Sequence, residues 1–456
     1  MATFAIVGAG FSGTLLTLHL LRRTPAKVRI VLIERQNRFA QGPAYATGNP
    51  SHLLNVPAGR MSAFHDRPGD FLDWLGRQPD APAGLGPGSF VPRRQFGAYI
   101  RHLLHEELRR PEAEGRLELV RGDVQAVEAE PHGPLSLVLG GDRKIAADLA
   151  VLAIGNFPPE PPSIADPGFF DTPLYRPDPW ATDALSGLDP DAAVLLIGTG
   201  LTMVDTVTAL EDAGHRGPIH ALSRRGLTPR CHAQTATPPR RPGAAIPDRL
   251  TECVKVLRAE ARRAVAEGSS WQATLDDLRP FTRDLWQHLA PADRDRFLRH
   301  LRPWWDVHRH RLAPEVSARI EAAKARGQLQ IHAGRIKAIT AGTEAATVTY
   351  RPRGSHEERV LDVARVVNCA GPACDFDRIA HPLVRELLQQ GQVRPDAHRL
   401  GLDVTPSGAL KDRRGAISRQ LFAVGPVTRG AFWEMTAVPD IRRQCELLAA
   451  QLAMLV

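Results

Sequence analysis

Cysteine is sparse in this sequence, and the five present, Cys231, Cys253, Cys369, Cys374 and Cys445, include no Cys-x-x-Cys pair. An odd set without that spacing excludes a disulfide framework and a thioredoxin-like redox couple, and leads us to expect reduced thiols in a cytoplasmic protein. The amino terminus fits that expectation, because Met1 to Val7 passes directly into a strand pattern with no charged and apolar leader. Long apolar runs are missing as well. The run Ala150 to Ile154 is typical and falls far short of the roughly 20 residues of a membrane helix, so no membrane partner is expected. No His-x-x-x-His or Cys/His cluster has metal-ligand spacing, and no metal is expected. Only six of the 58 basic residues are lysine, and 58 basic against 50 acidic residues leaves a net charge of +8. Because no zinc-finger spacing or RNP-like aromatic signature accompanies this charge, no nucleic-acid partner is expected. Arginine instead favours planar, bidentate contact with carboxylates and phosphates. The remaining composition, 43% hydrophobic and 24% charged, is ordinarily globular. At roughly 100–200 residues per domain, 456 residues give two to four domains.

What is present begins at the amino terminus. The β-prone run Thr3 to Val7 meets Gly8-Ala9-Gly10-Phe11-Ser12-Gly13, a helical pattern follows to Arg23, and a second apolar run from Val28 ends in Glu34-Arg35. This is a βαβ unit built to hold a dinucleotide. Gly8 permits the tight turn, Gly10 lets backbone approach a pyrophosphate, and Gly13 allows close helix packing. The helix amino terminus offers free N–H groups to the phosphates, and Glu34 is placed to accept hydrogen bonds from a ribose diol.

A second unit starts at Ala193 to Ile197, continues through Gly198-Thr199-Gly200-Leu201-Thr202-Met203-Val204-Asp205, and ends its next strand in Ser223-Arg224-Arg225. Met203 occupies the third glycine position, which calls for a wider gap between helix and sheet. Ser223 stands where the first unit has its acid. A carboxylate there would repel a 2′-phosphate that arginine can grip, so NADPH is expected in preference to NADH. The competing reading of Arg224 and Arg225 is a solvated loop pair.

Further apolar runs end at Gly155-Asn156, Gly371-Pro372 and Gly425-Pro426, and Val438 to Leu455 reads as a closing helix. The expected fold is α/β, with two Rossmann-like dinucleotide-binding domains. The first is discontinuous, 1–185 and 366–456, and the second, 186–365, carries a helical insertion over about 248–325, where Leu250, Val254, Leu257 and Ala261 have helix spacing. The proline-rich segment Pro229 to Pro247 reads as a linker or lid.

Three segments carry a family resemblance: Gly42-Pro43-Ala44-Tyr45 with Leu53-Leu54-Asn55-Val56-Pro57 and Met61-Ser62, then Trp304 to Arg311, then Trp433 to Pro439. In these the chain resembles, over nearly its whole length, bacterial FAD/NAD(P)-binding flavoproteins with two dinucleotide-binding domains, some of which are similar to amino-acid N-hydroxylases. The resemblance implies FAD against Gly8, Gly10, Phe11, Ser12, Gly13, Glu34 and Arg35. The loop Asn55, Val56, Met61, Ser62 would lie near the flavin ring, with Gly155, Asn156, Gly425 and Trp433 also at the cofactor. It implies NADPH at Gly198, Gly200, Leu201, Thr202, Asp205, Ser223, Arg224 and Arg225. Where such flavoproteins often carry Gly-Asp toward the ribityl chain, this sequence has Gly425-Pro426.

With both cofactors, the expected activity is an NADPH-dependent flavin monooxygenase that uses O2 on a small polar substrate, N-hydroxylation of an amine or amino acid being one such reaction. The alternatives are a reductase that passes electrons to a quinone or small electron-transfer protein, and a non-catalytic FAD-binding sensor. The crowded stretch Arg296 to Arg311 supplies candidate substrate contacts, with Arg309 facing a carboxylate and Trp305 and His308 beside it. An amphipathic helix with a tryptophan core is the plainer reading of the same stretch. His52, His65, Cys369 and Cys374 read as structural.

Overall fold

In the computed structural model, which describes residues 2–36, 38–129, 133–233 and 247–456, strand Ala2–Val7 pairs in parallel with Val28–Glu34, Val7 facing Ile33. The helix between them, Phe11–Arg23, is buried nearly all round. It lies between this sheet and the closing helix Val438–Ala453, which explains why its sequence lacks a polar stripe.

Among the described residues the strands form three sheets. The six-stranded sheet runs Ala409–Lys411, Ile417–Ala423, Leu149–Leu152, Ala2–Val7, Val28–Glu34, Leu117–Arg121. The seven-stranded sheet runs Arg359–Val363, Ala346–Pro352, Leu329–Ala341, Ile219–Ser223, Val194–Ile197, Arg365–Asn368, Tyr175–Arg176. A small antiparallel sheet, Val124–Ala129, Leu135–Leu139, Lys144–Ala147, flanks the first. The doubled α/β architecture is therefore as expected.

Strand pairing corrects the boundaries. Tyr175–Arg176 hydrogen-bonds to Arg365–Asn368 in the second sheet, so these two strands go with the second unit, whereas Phe157 packs on the core of the first. The chain crosses at Gly155 and Gly371, both at positive φ. The apolar run 361–370 is two strands, split at Ala364. Arg359–Val363 sits at one edge of the sheet and Arg365–Asn368 lies next to the strand at the opposite edge. Arg359–Val363 is exposed apart from Leu361 and Val363, whereas Arg365–Asn368 is buried throughout, and the apolar Val360 and Leu361 hide that difference in the sequence.

The insertion is helical as read, from Leu250–Ala266 to Pro314–Ala325, with a π-helical turn at Phe297–Leu301. It reaches back onto the first unit. Trp286 Nε1 donates to the Gly430 carbonyl at 2.7 Å, and Arg279 pairs with Asp440 at 2.8 Å. Residues 234–246 of the expected linker or lid lie outside the described residues.

A second seam joins the units directly. Arg93, at the start of helix Arg93–Leu108, pairs with Asp205 at 2.9 Å, and its Nε donates to the Leu53 carbonyl. Nε2 of His52 donates to the Asp205 carbonyl while Nδ1 faces the Thr47 hydroxyl. Burial raises the Asp205 carboxyl above its usual range against the pull of Arg93. Removing one partner of such a pair strands the other charge. Arg93→Ala is expected to lower unfolding stability by about 3–5 kcal/mol in urea titrations, and Arg93→Ala with Asp205→Ala to lose less than the two single changes added together.

Candidate functional site

Both glycine turns have the geometry their spacing implies. Gly8 has φ +103°, and a Cβ there would stand 2.5 Å from the Ala153 carbonyl oxygen, while one at Gly13 would collide with the Gly8 carbonyl. Gly198 has φ +111°, and a Cβ there would lie 2.5 Å from the Cys369 oxygen. Only glycine fits these positions. Neither helix that follows has a side-chain cap at its amino terminus, so both starts present unpaired N–H groups. Glu34 completes the first turn by accepting from the Ala9 N–H at 3.0 Å. Gly42 and its neighbours lie across Gly10 and the Phe11 nitrogen. Arg35 is exposed at the strand end.

The return segment closes the first cradle. Gly425, at φ +81°, abuts the Ser12 side chain so tightly that a Cβ would collide with it. Its N–H is spent on Gln444 Oε1, and Gln444 Nε2 in turn donates to Thr428 Oγ1. At the other crossing, Gly155 has positive φ and Asn156 is exposed beside it.

Several expected contacts are engaged elsewhere. Phe11 is buried, edge-on to Tyr45 and tilted against Phe96, so it is a wedge in the core. Met61 is buried, and Ser62 donates its hydroxyl to the Arg67 carbonyl at 2.6 Å, holding its own loop. Asn55 and Val56 remain partly exposed. His232 Nε2 donates to the Asn55 carbonyl, and burial holds that imidazole down at about 4, neutral near pH 7. The carboxylate of Asp205 belongs to the Arg93 seam, which removes it as a free nucleotide contact.

In the second cradle Leu201 and Thr202 open the helix. Met203 is wholly buried among Val194, Leu196 and Ile219, filling the gap a glycine would have closed. Ser223 Oγ meets Thr199 Oγ1 at 2.9 Å and accepts from the Gly226 N–H, which shapes the turn carrying the arginines. Arg224 is exposed and makes no hydrogen bond or ion pair with another described residue. Arg225 reaches the Arg299 carbonyl at 3.4 Å.

The substrate-contact expectations need the largest correction. Arg309 does not offer a free guanidinium, because Glu434 accepts from its Nε and Nη2 at 3.0–3.2 Å, the pair being buried, and from the half-buried Trp305 Nε1 at 3.0 Å. His308 donates Nδ1–H to the Trp304 carbonyl and sits edge-on to Trp271. Glu434 escaped notice because its partner is 125 residues away, although it lies inside the Trp433-Glu434-Met435 segment. Trp433 has φ +59°, stacks on Trp286 at 4.9 Å and takes the edge of Phe297. The return segment and the insertion thus share an aromatic cluster.

Residues 5–157 match the model of an FAD-NAD(P)-binding family. An ornithine N-hydroxylase of Kutzneria superposes with a TM-score of 0.68 over 98% of both chains at 14% identity. The chain has the two-domain flavoprotein fold. By sequence it is 24% identical to an uncharacterized protein of Mycobacterium tuberculosis over 98% of this chain and 94% of that one. It is also 29% identical to an L-aspartate N-monooxygenase (nitrosuccinate-forming) of Streptomyces cremeus, over 51% of this chain and 41% of the relative.

The free Arg224 gives a nucleotide test. Arg224→Ala is expected to raise the KM for NADPH about tenfold or more and to leave that for NADH nearly unchanged, in initial-rate assays with both nucleotides. Equal effects on the two would remove the 2′-phosphate from that position.

Proposed function

We propose that this protein is an FAD- and NADPH-dependent monooxygenase that oxygenates a small polar substrate, with N-hydroxylation of an amine or amino acid as the reaction. The observation that carries this reading is the aromatic wall where the return segment meets the insertion. Oxygen chemistry on a reduced flavin needs a pocket closed to water. Trp433, Trp286, Phe297 and Trp305 form an apolar cluster that would wall such a pocket, and Glu434 pins two of its elements together.

The residues present fit both cofactors. The cradle of Gly8, Gly10 and Gly13 with Glu34 would take FAD, its pyrophosphate at the uncapped start of Phe11–Arg23 and its ribose at Glu34. The cradle of Gly198 and Gly200 would take NADPH, with Arg224 on the 2′-phosphate. When bound, the flavin supplies hydride acceptance from NADPH and activation of O2. The chain's own residues orient and enclose. His232 holds Asn55 in the loop expected at the flavin, and Arg442 donates to the Ser62 carbonyl at 2.9 Å on its other side.

The thiol at the strand end beside the second cradle gives no support to disulfide reduction. Burial pushes Cys369 up to about 12, and its sulfur lies 3.4 Å from the Thr206 hydroxyl. Such a thiol is not a working nucleophile. The ornithine N-hydroxylase and aspartate N-monooxygenase likenesses support an amino-bearing substrate.

FAD-loaded protein given NADPH, O2 and a panel of L-ornithine, L-lysine and L-aspartate is expected to consume NADPH and O2 one to one and to yield a product 16 mass units heavier, or a further oxidation product, for at least one of them. Anaerobic turnover with a quinone at the same rate, and no oxygenated product, would decide for the reductase.

A further inference from the structure

Beside Trp433 two arginines lie close together with too little negative charge between them. Arg429 places its guanidinium carbon 4.8 Å from the centre of the Trp433 ring, and Arg302 places its own 6.0 Å from the same ring. Arg302 has one carboxylate neighbour, Asp306, at a loose 3.5 Å. Arg429 has none within ion-pair distance among the described residues, and its Nε donates only to the Trp433 carbonyl at 3.2 Å. The nearby carboxylates are already engaged, Glu434 with Arg309 and Asp440 with Arg279. Burial lowers the Arg429 pKa, and repulsion from Arg302 adds to the effect. A guanidinium in that position is held charged at a cost that an incoming anion would relieve.

We propose that Arg302 and Arg429 form the seat of a substrate carboxylate, laid against the indole of Trp433. The inference rests on the monooxygenase reading for its location, because Gly425, four residues before Arg429, abuts Ser12 at the start of the first cradle. The backbone of the return segment supports this placement. Trp433 N–H donates to the Arg429 carbonyl at 2.7 Å, and this turn, with Trp433 at φ +59°, folds the indole back under its own arginine. Positive φ at a bulky side chain is costly and persists where surrounding structure enforces it. Trp286 and Phe297 do so here from the insertion, while Arg302 arrives from that same insertion, so the seat is complete only when both units are assembled.

The chemistry selects a carboxylate. Two planar guanidinium forks beside one aromatic ring match a planar, two-oxygen anion. The 2′-phosphate of the dinucleotide has its own arginine at Arg224, in a different turn. A phosphate of the same dinucleotide is nevertheless the second source of anionic oxygen, and the experiment separates it.

FAD-loaded protein is titrated by calorimetry, without NADPH, with L-aspartate, L-ornithine and L-lysine, each beside its carboxamide form. At least one acid is expected to bind about tenfold or more tightly than its amide. That preference should collapse in Arg429→Gln and in Arg302→Gln and return in part in Arg429→Lys, with flavin content and the Kd for NADPH unchanged. Acids and amides that bind alike, or no acid that binds, would overturn the seat. An arginine variant that weakens NADPH while leaving the acid preference intact would also overturn it and assign the pair to phosphate. Failure of the oxygenation reading is distinguishable, because the acid would still bind while no oxygenated product formed.

Discussion

Glu434 accepts hydrogen bonds from three donor groups of a helix that belongs to a different part of the chain, and the geometry of the candidate site follows from that contact. A carboxylate buried to this degree is tolerable only when its charge is met and its lone pairs are filled. Arg309 meets the charge through Nε and Nη2, and the Trp305 indole fills a remaining lone pair. Once these are fixed, the helix Arg302–Arg309 has no freedom to slide along the return segment. Trp433, next to Glu434, is then driven against Trp286 and Phe297, and Arg302 is delivered to the ring from the insertion side. The seat at Arg302 and Arg429 is thus a consequence of the pairing at Arg309. A single neutralised arginine leaves its neighbours charged.

The parts of the fold legible from sequence are those in which local geometry restricts the residue type. Gly8, Gly13 and Gly198 could be read because each position excludes a Cβ, and a forbidden side chain leaves a mark in any sequence. Glu34 could be read for a similar reason, since the end of the second strand falls at a fixed distance from the turn. Arg309 was legible as chemistry and misread as to its partner. Its type and helical setting pointed to a carboxylate, but a substrate and a buried glutamate 125 residues on present the same group to it. Asp205 shows the same failure, its partner Arg93 being set by the packing of one unit on the other.

Strand identity was legible where burial is continuous and illegible where an exposed edge strand runs straight into a buried one. Arg359–Val363 and Arg365–Asn368 differ in sheet position while sharing one apolar run, and only the register with Val194–Ile197 and Ala346–Pro352 tells them apart. Met203 illustrates a milder departure. It replaces the glycine that brings helix to sheet, and the second helix accommodates it by using the methionine as core filling, a role its flexible, polarisable side chain suits. The turn before it keeps its strained glycine, so the anion-facing end of the unit is preserved although its packing end has changed.

The arginine excess can now be divided by what each guanidinium faces. Arg116 donates to the Val28, Leu21 and Thr24 carbonyls and ties the end of the first helix to its sheet, and Arg365 does the same for the carbonyls of Ala184 and Ser186. Arg93, Arg279 and Arg309 are neutralised across the seams between units. Backbone carbonyls or carboxylates already engage each of these groups within the chain. Arg224 and Arg429 stand apart, one exposed at a strand end and one enclosed against an indole, and neither has a carboxylate of its own among the described residues. A folded chain can leave a surface arginine to water at little cost. It cannot do so for an enclosed one, and the enclosed arginine is therefore the stronger evidence for an anion that the chain itself does not supply.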